Sequence, residues 1–272
     1  MAKAPDPRTL LCSVDGEIGP VGDARISIMD EGLLRGDGGF EVLKLYGGKP
    51  FALEDHLDRL QRSCEGIFLE WDRQSFEQEI ATLLDANGQN DAALRLVLTR
   101  GGRRIAIIED VATFEHGITL QTVTYQPSVV LTGLKTLSYE ANMTATRIAQ
   151  SRGAQEALLV VPGDKVLEAP TSTIFWAAAD GVVRTPSLGT GILASITRDR
   201  IMKLVPVEER DYDVGEVLEA SEVFLASSIR EVQGVGELDG VRFDCPGPVT
   251  SRIAGLLSER IQAELSSPGN SR

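Results

Sequence analysis

The sequence predicts a mixed α/β (α+β) protein of two domains, and three observations lead there. Short runs such as Val42-Leu-Lys-Leu-Tyr46 and Ala93-Leu-Arg-Leu-Val-Leu-Thr-Arg100 alternate in the manner of β-strands. Other stretches space apolar residues three or four apart, the period of a helix. A non-periodic Gln126-Pro-Ser128 segment interrupts both patterns, so residues 1–126 and 127–272 are expected as separate α/β domains, the second carrying the lysine discussed below.

Taken in order, Leu10–Val14 and Glu17-Ile-Gly19 flank Asp15-Gly16, a tight-turn signal that predicts a hairpin. A Gly- and Asp-dense run, Asp30–Glu41, leads into Val42–Tyr46, and Gly47-Gly48 turns the chain into Lys49–Leu53. Side chains alternate along a strand, so Phe40, Val42 and Lys44 share one face. From Glu54 the spacing of Leu57, Leu60, Cys64 and Ile67 predicts a helix with Arg59 beside its apolar stripe. A second helix, Gln74–Ala86, turns Phe76, Ile80, Leu83 and Leu84 inward and stops at Asn87-Gly88. Strands follow at Ala93–Arg100, Arg103–Ile108 and Ile118–Tyr125.

In the second half an apolar, strand-like lead precedes Lys135, and a helix is expected over Glu140–Arg152. Strands are expected at Ala157–Val161, Thr173–Ala177, Val182–Pro186 and Glu222–Ala226. Ser195 reads as the N-cap of a helix reaching Leu204. The last helix, Thr250–Ser266, buries Ile253, Leu256, Leu257, Ile261 and Leu265, and a frayed tail is expected after it.

Composition narrows the function. A net charge of −13 argues against a nucleic-acid partner, because phosphate backbones are bound by clustered Lys and Arg. No apolar run approaches membrane-span or signal-peptide length, so no membrane partner is expected. Cys12, Cys64 and Cys245 are odd in number and scattered, which supports neither a disulfide framework nor a metal site and suggests a reducing, cytoplasmic setting. Only two histidines are present, and neither has a Ser or Cys elbow beside it.

A different chemistry fits better. Lys135 is an amine placed before a helix, Glu168 a carboxylate just past a strand, and Ser195-Ile-Thr-Arg198 opens a helix whose free amides and dipole form an anion site. With Arg59 and Ser228 these are the parts that pyridoxal phosphate requires: an amine for covalent attachment, an acid for the pyridine nitrogen and donors for a phosphate. Individually each is matched by a surface lysine, an exposed glutamate or a plain N-cap; the ordered set is what carries information.

The ordered segments Arg35-Gly-Asp-Gly-Gly-Phe-Glu41, His56-Leu-Asp-Arg59-Leu60, Leu134-Lys135-Thr-Leu, Gln155-Glu-Ala-Leu-Leu, Val166-Leu-Glu168, Ile174-Phe175, Leu193–Arg198 and Glu222-Val-Phe resemble fold type IV pyridoxal phosphate enzymes. That family includes D-amino acid aminotransferases, branched-chain aminotransferases and aminodeoxychorismate lyases. The resemblance implies a two-domain fold with the cofactor at the domain interface, and a homodimer. It also implies that Lys135 carries pyridoxal 5'-phosphate, Glu168 meets the ring nitrogen, and Arg59, Ile196, Thr197 and Ser228 take the phosphate, with Tyr139, Ser172 and Thr173 also at the cofactor. Thr173 stands where the family usually has Asn, and Ser195 where it usually has Gly.

The strand Phe40-Glu-Val-Leu-Lys44 is similar to the aromatic-Glu-Val-x-Lys strand of D-amino acid aminotransferases, so Phe40, Val42 and Lys44 are expected to face substrate. Arg95 resembles the carboxylate-binding arginine of branched-chain aminotransferases, and Arg103 or Arg104 offers an alternative. The implied activity is transamination between an amino acid of D configuration, or a related R-amine, and a 2-oxo acid such as 2-oxoglutarate or pyruvate. The alternatives are an aminodeoxychorismate lyase, suggested by Lys-Thr-Leu-Ser-Tyr139 and Glu-Ala-Pro-Thr-Ser-Thr173, and a branched-chain L-amino acid aminotransferase.

Overall fold

A computed structural model describes residues 10–267. The frayed tail expected beyond Ser267 lies outside the described residues.

The described chain forms two compact units, one holding residues up to Ala112, Leu134–Ser138 and the residues from Glu264, the other Thr113–Gly133 and Tyr139–Ala263. The first unit contains β1 (Leu11–Val14), β2 (Glu17–Pro20), α1 (Glu31–Arg35), β3 (Gly38–Tyr46), β4 (Lys49–Pro50), α2 (Leu53–Gly66), α3 (Arg73–Asn87), β5 (Ala92–Thr99) and β6 (Arg104–Glu109). The strands make one antiparallel sheet in the order β2-β1-β6-β5-β3-β4. Asp15 and Gly16 both have positive φ, 52° and 91°, as a two-residue hairpin with the right twist demands.

Alternation decides which face of this sheet is buried. Leu43 and Leu45 of β3, Leu94, Leu96 and Leu98 of β5, and Ala106 and Ile108 of β6 pack under Leu57, Leu60 and Cys64 of α2 and Phe76, Ile80 and Leu83 of α3. Val42, Lys44 and Tyr46 lie on the opposite, partly open face of β3. Helix α1 was not legible among the Gly and Asp residues around it. It is a single turn and a half, held because Asp30 accepts the Gly32 amide at 2.8 Å and Gly36 closes it with φ 66°.

The second unit contains β7 (Ile118–Thr124), α4 (Glu140–Ser151), β8 (Glu156–Val160), β9 (Thr173–Ala177), β10 (Val183–Pro186), α5 (Ile196–Leu204), β11 (Val207–Arg210), α6 (Val214–Leu218), β12 (Glu222–Ser227), β13 (Glu231–Leu238) and β14 (Val241–Arg242). The sheet runs β11-β10-β9-β12-β13-β7-β8, with β14 on β13; β7 is parallel to both β8 and β13. A boundary at Gln126 would have put β7 in the first domain. Its pairing places it in the second sheet, because alternation identifies a strand without identifying its neighbours.

Both faces of this sheet are covered. Ile174, Trp176, Val223, Leu225 and Val235 pack toward Val217 of α6, while Ala157 and Leu159 of β8 pack toward Ala145 and Ala149 of α4. A strand covered on both sides needs no polar alternation, which is why all five residues of β8 are buried. Helix α7 (Pro248–Ser266) buries Ile253, Leu257, Ile261 and Leu265, and Leu256 is only partly covered.

Candidate active site

Lys135 lies in the Leu134–Ser138 segment, which belongs to the first unit. The residues before it form turns rather than the expected strand-like lead, and the segment meets β3 by a single antiparallel bridge between Gly39 and Thr136. Two backbone hydrogen bonds and one to a side chain fix it. The Phe40 amide donates to the Lys135 carbonyl at 3.1 Å, the Leu137 amide donates to Gly38 at 2.9 Å, and the Lys135 amide donates to Ser63 Oγ of α2 at 3.0 Å.

So close an approach requires glycine. A Cβ on Gly38 would lie 2.1 Å from the Leu98 carbonyl oxygen and 2.7 Å from Leu137 Cδ1, and one on Gly66 would lie 2.6 Å from Leu134 Cδ1. The half-buried Lys135 amine sits 4.4 Å from the centroid of the Phe40 ring, a favourable cation-π contact.

On the core side of β3, Glu41 meets two residues of α2. Arg59 donates from Nε and Nη2 to the two oxygens of Glu41, both at 2.7 Å, and His56 Nδ1 lies 2.8 Å from Glu41 Oε2. All three are buried. Burial pushes the Glu41 carboxyl up, but the Arg59 charge and the hydrogen bonds from Arg59 and His56 outweigh it and hold the group at about 2. Burial lowers the His56 imidazole, so it stays neutral and donates.

Phe40, Val42 and Lys44 do share the other face. The register sets Val42 opposite Arg95 and Arg95 opposite Ile107, so Arg95 belongs to that face as well. Its guanidinium is held by Glu109 in a bidentate pair, at 2.6 and 3.0 Å. Lys44 Nζ stands 4.8 Å from the Tyr46 ring centroid. Arg103 pairs with Asp15, and Arg104 with Glu79 at 2.7 Å, so each sequence-predicted carboxylate trap already has an acidic partner within the unit.

The remaining predicted residues lie in the second unit. Glu168 accepts the Leu193 amide at Oε1, 3.0 Å away, and its carbonyl accepts the Leu159 amide. Burial raises the Tyr125 hydroxyl, and the Glu168 charge adds to the effect. Tyr139 donates its hydroxyl to the Pro170 carbonyl, which also accepts Asn142 Nδ2 at 3.3 Å.

The Ala169–Thr173 turn that follows opens β9. Ser172 and Thr173 are buried there, and their hydroxyls lack hydrogen-bond partners among the described residues. The pairing of Ala226 with Thr173 brings the end of β12, and with it Ser227 and Ser228, to the same end of the sheet. Helix α5 packs on β12. Ser195 accepts the Arg198 amide at 3.3 Å, while the Ile196 and Thr197 amides, in the first turn, have no acceptor inside the helix. Arg198 anchors α5 by donating to Glu209 at 2.6 Å and to the Pro186 carbonyl at 3.1 Å. Unpartnered hydroxyls and first-turn amides are donors suited to a multiply charged anion.

Sequence reasoning named Arg59 but gave no role to Glu41, His56 or Glu109. The signal was a carboxylate on the leucine-bearing face of β3 with a histidine and an arginine on the matching helix.

A family model described as amino-transferase class IV matches residues 38–238. The chain belongs to the class IV aminotransferases. A Methanocaldococcus jannaschii protein, provisionally named a branched-chain-amino-acid aminotransferase, is 32% identical to this class IV enzyme over 243 residues, covering 80% of this chain and 84% of its own. The D-alanine aminotransferase of Bacillus licheniformis is 28% identical over 267 residues, covering 89% and 94%. Among solved structures, a fold IV-transaminase from Curtobacterium pusillum is similar with a TM-score of 0.82 and 30% identity, covering 92% of this chain and 99% of its own. A hypothetical aminotransferase from Mycobacterium tuberculosis, in its PLP-bound form, is similar with a TM-score of 0.85 and 25% identity over 93% and 99%. The fold is that of fold type IV aminotransferases.

Proposed function

We propose that this class IV aminotransferase uses pyridoxal 5'-phosphate to move an amino group between a D-amino acid, or a related R-amine, and a 2-oxo acid such as 2-oxoglutarate or pyruvate. The observation that carries the reading is the seating of Lys135 on β3 at Phe40, the strand whose Phe-Glu-Val-Leu-Lys44 pattern resembles D-amino acid aminotransferases. The named D-alanine relatives support the same stereochemistry.

The residues present fit the cofactor: two orphaned buried hydroxyls, the open first turn of α5 and a half-buried carboxylate provide donors and an acid of the required kinds. When bound, pyridoxal phosphate supplies an aldehyde and an electron-withdrawing ring that allow an amino group to change carriers. Lys135 Nζ is the amine that would hold the aldehyde, and as a free amine it would carry the proton of the substrate α-carbon. The Glu168 carboxylate, oriented by the Leu193 amide, would face the ring nitrogen and favour its protonated form. Ile196 and Thr197 amides, with Arg59 and the Ser172, Thr173, Thr197 and Ser228 hydroxyls, bind the phosphate. Tyr139 orients the ring. Phe40, Val42 and Lys44 bind substrate, and Arg95 or Arg103 takes its carboxylate.

A branched-chain L-specific reading is favoured by the Methanocaldococcus jannaschii relative and by Arg95 on the Phe40 face. Incubation of the holoenzyme with D-alanine, D-glutamate or L-leucine and 2-oxoglutarate tests the choice. Transfer from the D-amino acids is expected; transfer from L-leucine alone establishes the second reading, and pyruvate formed only from aminodeoxychorismate establishes a lyase.

The same reading includes a homodimer in the cytoplasm. Ile28, Met29, Leu33 and Leu34, on and beside α1, are 77, 71, 60 and 52% exposed, an apolar group of the kind that marks an interface. Light scattering is expected to give twice the 29.3 kDa chain mass. The three cysteines are unpaired, as a reducing compartment maintains them, and among the described residues no helix is long and apolar enough to cross a membrane.

A further inference from the structure

Outside the residues assigned above, the second unit contains a buried charge cluster that joins two of its turns. Arg230 closes the Ser228–Arg230 turn between β12 and β13, and Glu156 opens β8, far away in sequence. Their side chains are nearly enclosed, at 4% and 9% exposure, and Arg230 Nη2 donates to Glu156 Oε2 at 2.7 Å. The other oxygen, Oε1, accepts the Thr171 hydroxyl at 3.2 Å. Arg230 Nη1 donates to Gln233, and the guanidinium carbon stands 4.6 Å from the Phe114 ring centroid.

A lone carboxylate in such surroundings is costly, so Glu156 is held to positions that keep both donors. One donor comes from the turn carrying Ser228. The other comes from the residue immediately before Ser172 and Thr173, whose buried hydroxyls have no hydrogen-bond partner among the described residues. The Tyr139 hydroxyl and Asn142 amide grip the preceding residue, Pro170, so the turn is tied on both sides of Thr171. Ala169 and Ser172 close one turn with a pair of backbone hydrogen bonds, and the Ser227–Glu231 pairing closes the other, so each loop has its own shape while Glu156 ties side chains of one to the other.

The geometry points to Glu156 as a positioning residue that fixes the Ser228 turn and the Ser172–Thr173 turn relative to one another, and so sets the affinity of the enzyme for the phosphate of its cofactor. This rests on the proposed phosphate role of those hydroxyls. A purely architectural cluster would serve the phosphate-free and phosphorylated forms alike; a positioning cluster distinguishes them.

The test removes the cofactor from the full chain and titrates back pyridoxal phosphate or pyridoxal, following absorbance of the bound chromophore. Thr171→Val, which is isosteric and leaves the ion pair intact, is expected to bind pyridoxal phosphate roughly five- to tenfold more weakly, less than the full worth of a charge-assisted hydrogen bond because the lost contact reaches the ligand only through the turn. Its affinity for pyridoxal should stay within twofold, and Thr171→Ser should restore the wild-type value. Glu156→Gln, whose single oxygen serves only one of the two donors, should show the same selective loss. Ser228→Ala separates the two levels of argument. If Ser228→Ala weakens pyridoxal phosphate binding while Thr171→Val stays within twofold, or if Thr171→Val weakens both ligands equally, the positioning role is overturned and the phosphate site stands. If Ser228→Ala leaves the affinity unchanged, the phosphate reading fails and takes the inference with it.

Discussion

The Phe40 amide donates to the carbonyl of Lys135 at 3.1 Å while the Lys135 amine sits 4.4 Å from the Phe40 ring centroid, so one residue fixes both ends of the other. Lys135→Ala should lower kcat by about a thousandfold or more, since it removes both the attachment point and the proton carrier. Phe40→Leu keeps the backbone bond and removes only the ring; kcat/KM should fall about three- to tenfold. Steady-state kinetics on folded variants, checked by circular dichroism, decides both.

Glu41→Gln removes the charge that the buried Arg59 meets on β3. Urea unfolding should show a loss of about 3–5 kcal/mol, because the substitution breaks a buried ion pair that carries two hydrogen bonds.

The same cluster predicts the acid limb of stability. His56 has a folded pKa below its ordinary 6.5, so the neutral ring contributes fully above that pH and the contribution is lost as pH falls beneath it. Glu41, lowered from 4.5 to about 2, contributes fully above about 4.5, and its contribution drains away as pH falls through about 2. Unfolding free energy should therefore decline in two stages below pH 6.5, and His56→Gln should flatten the upper stage alone. A wild-type profile level from pH 6.5 down to 4.5 would contradict the assignment of a neutral His56.

Arg95 reaches a substrate carboxylate only in competition with Glu109. Glu109→Gln weakens that competitor, and KM for 2-oxoglutarate and for D-alanine should both drop roughly three- to tenfold, since each brings a carboxylate. An unchanged KM for 2-oxoglutarate would remove Arg95 from substrate binding.

Gly38→Ala should destabilise the enzyme by about 1–3 kcal/mol, since the added methyl meets the Leu98 carbonyl and the Leu137 side chain. Thermal melts compare it with wild type.

Much of this was legible beforehand. Strand and helix periods identified β3, β5, β9, α2 and α3 because one face of each meets a core. Strand β13 was missed, since Glu231-Val-Gln-Gly-Val-Gly-Glu-Leu238 carries two glycines and little alternation, and only pairing with β12 and β7 makes it a strand. Among the candidate site residues, Lys135 and Glu168 are proposed from their order in the chain. Glu109 and Glu156 are not, because each acts by accepting from an arginine distant in sequence, at positions 95 and 230. Local patterning has no access to such partners.

The path of the backbone through Leu134–Ser138 has a consequence for engineering. The polypeptide leaves the second unit for those few residues, bonds to β3 and α2, and then returns. A chimaera made by swapping everything after a single junction near position 126 would graft a foreign lysine loop onto a native strand and helix. Module exchange between relatives therefore demands that Gly38, Ser63 and Gly66 travel with the loop they receive.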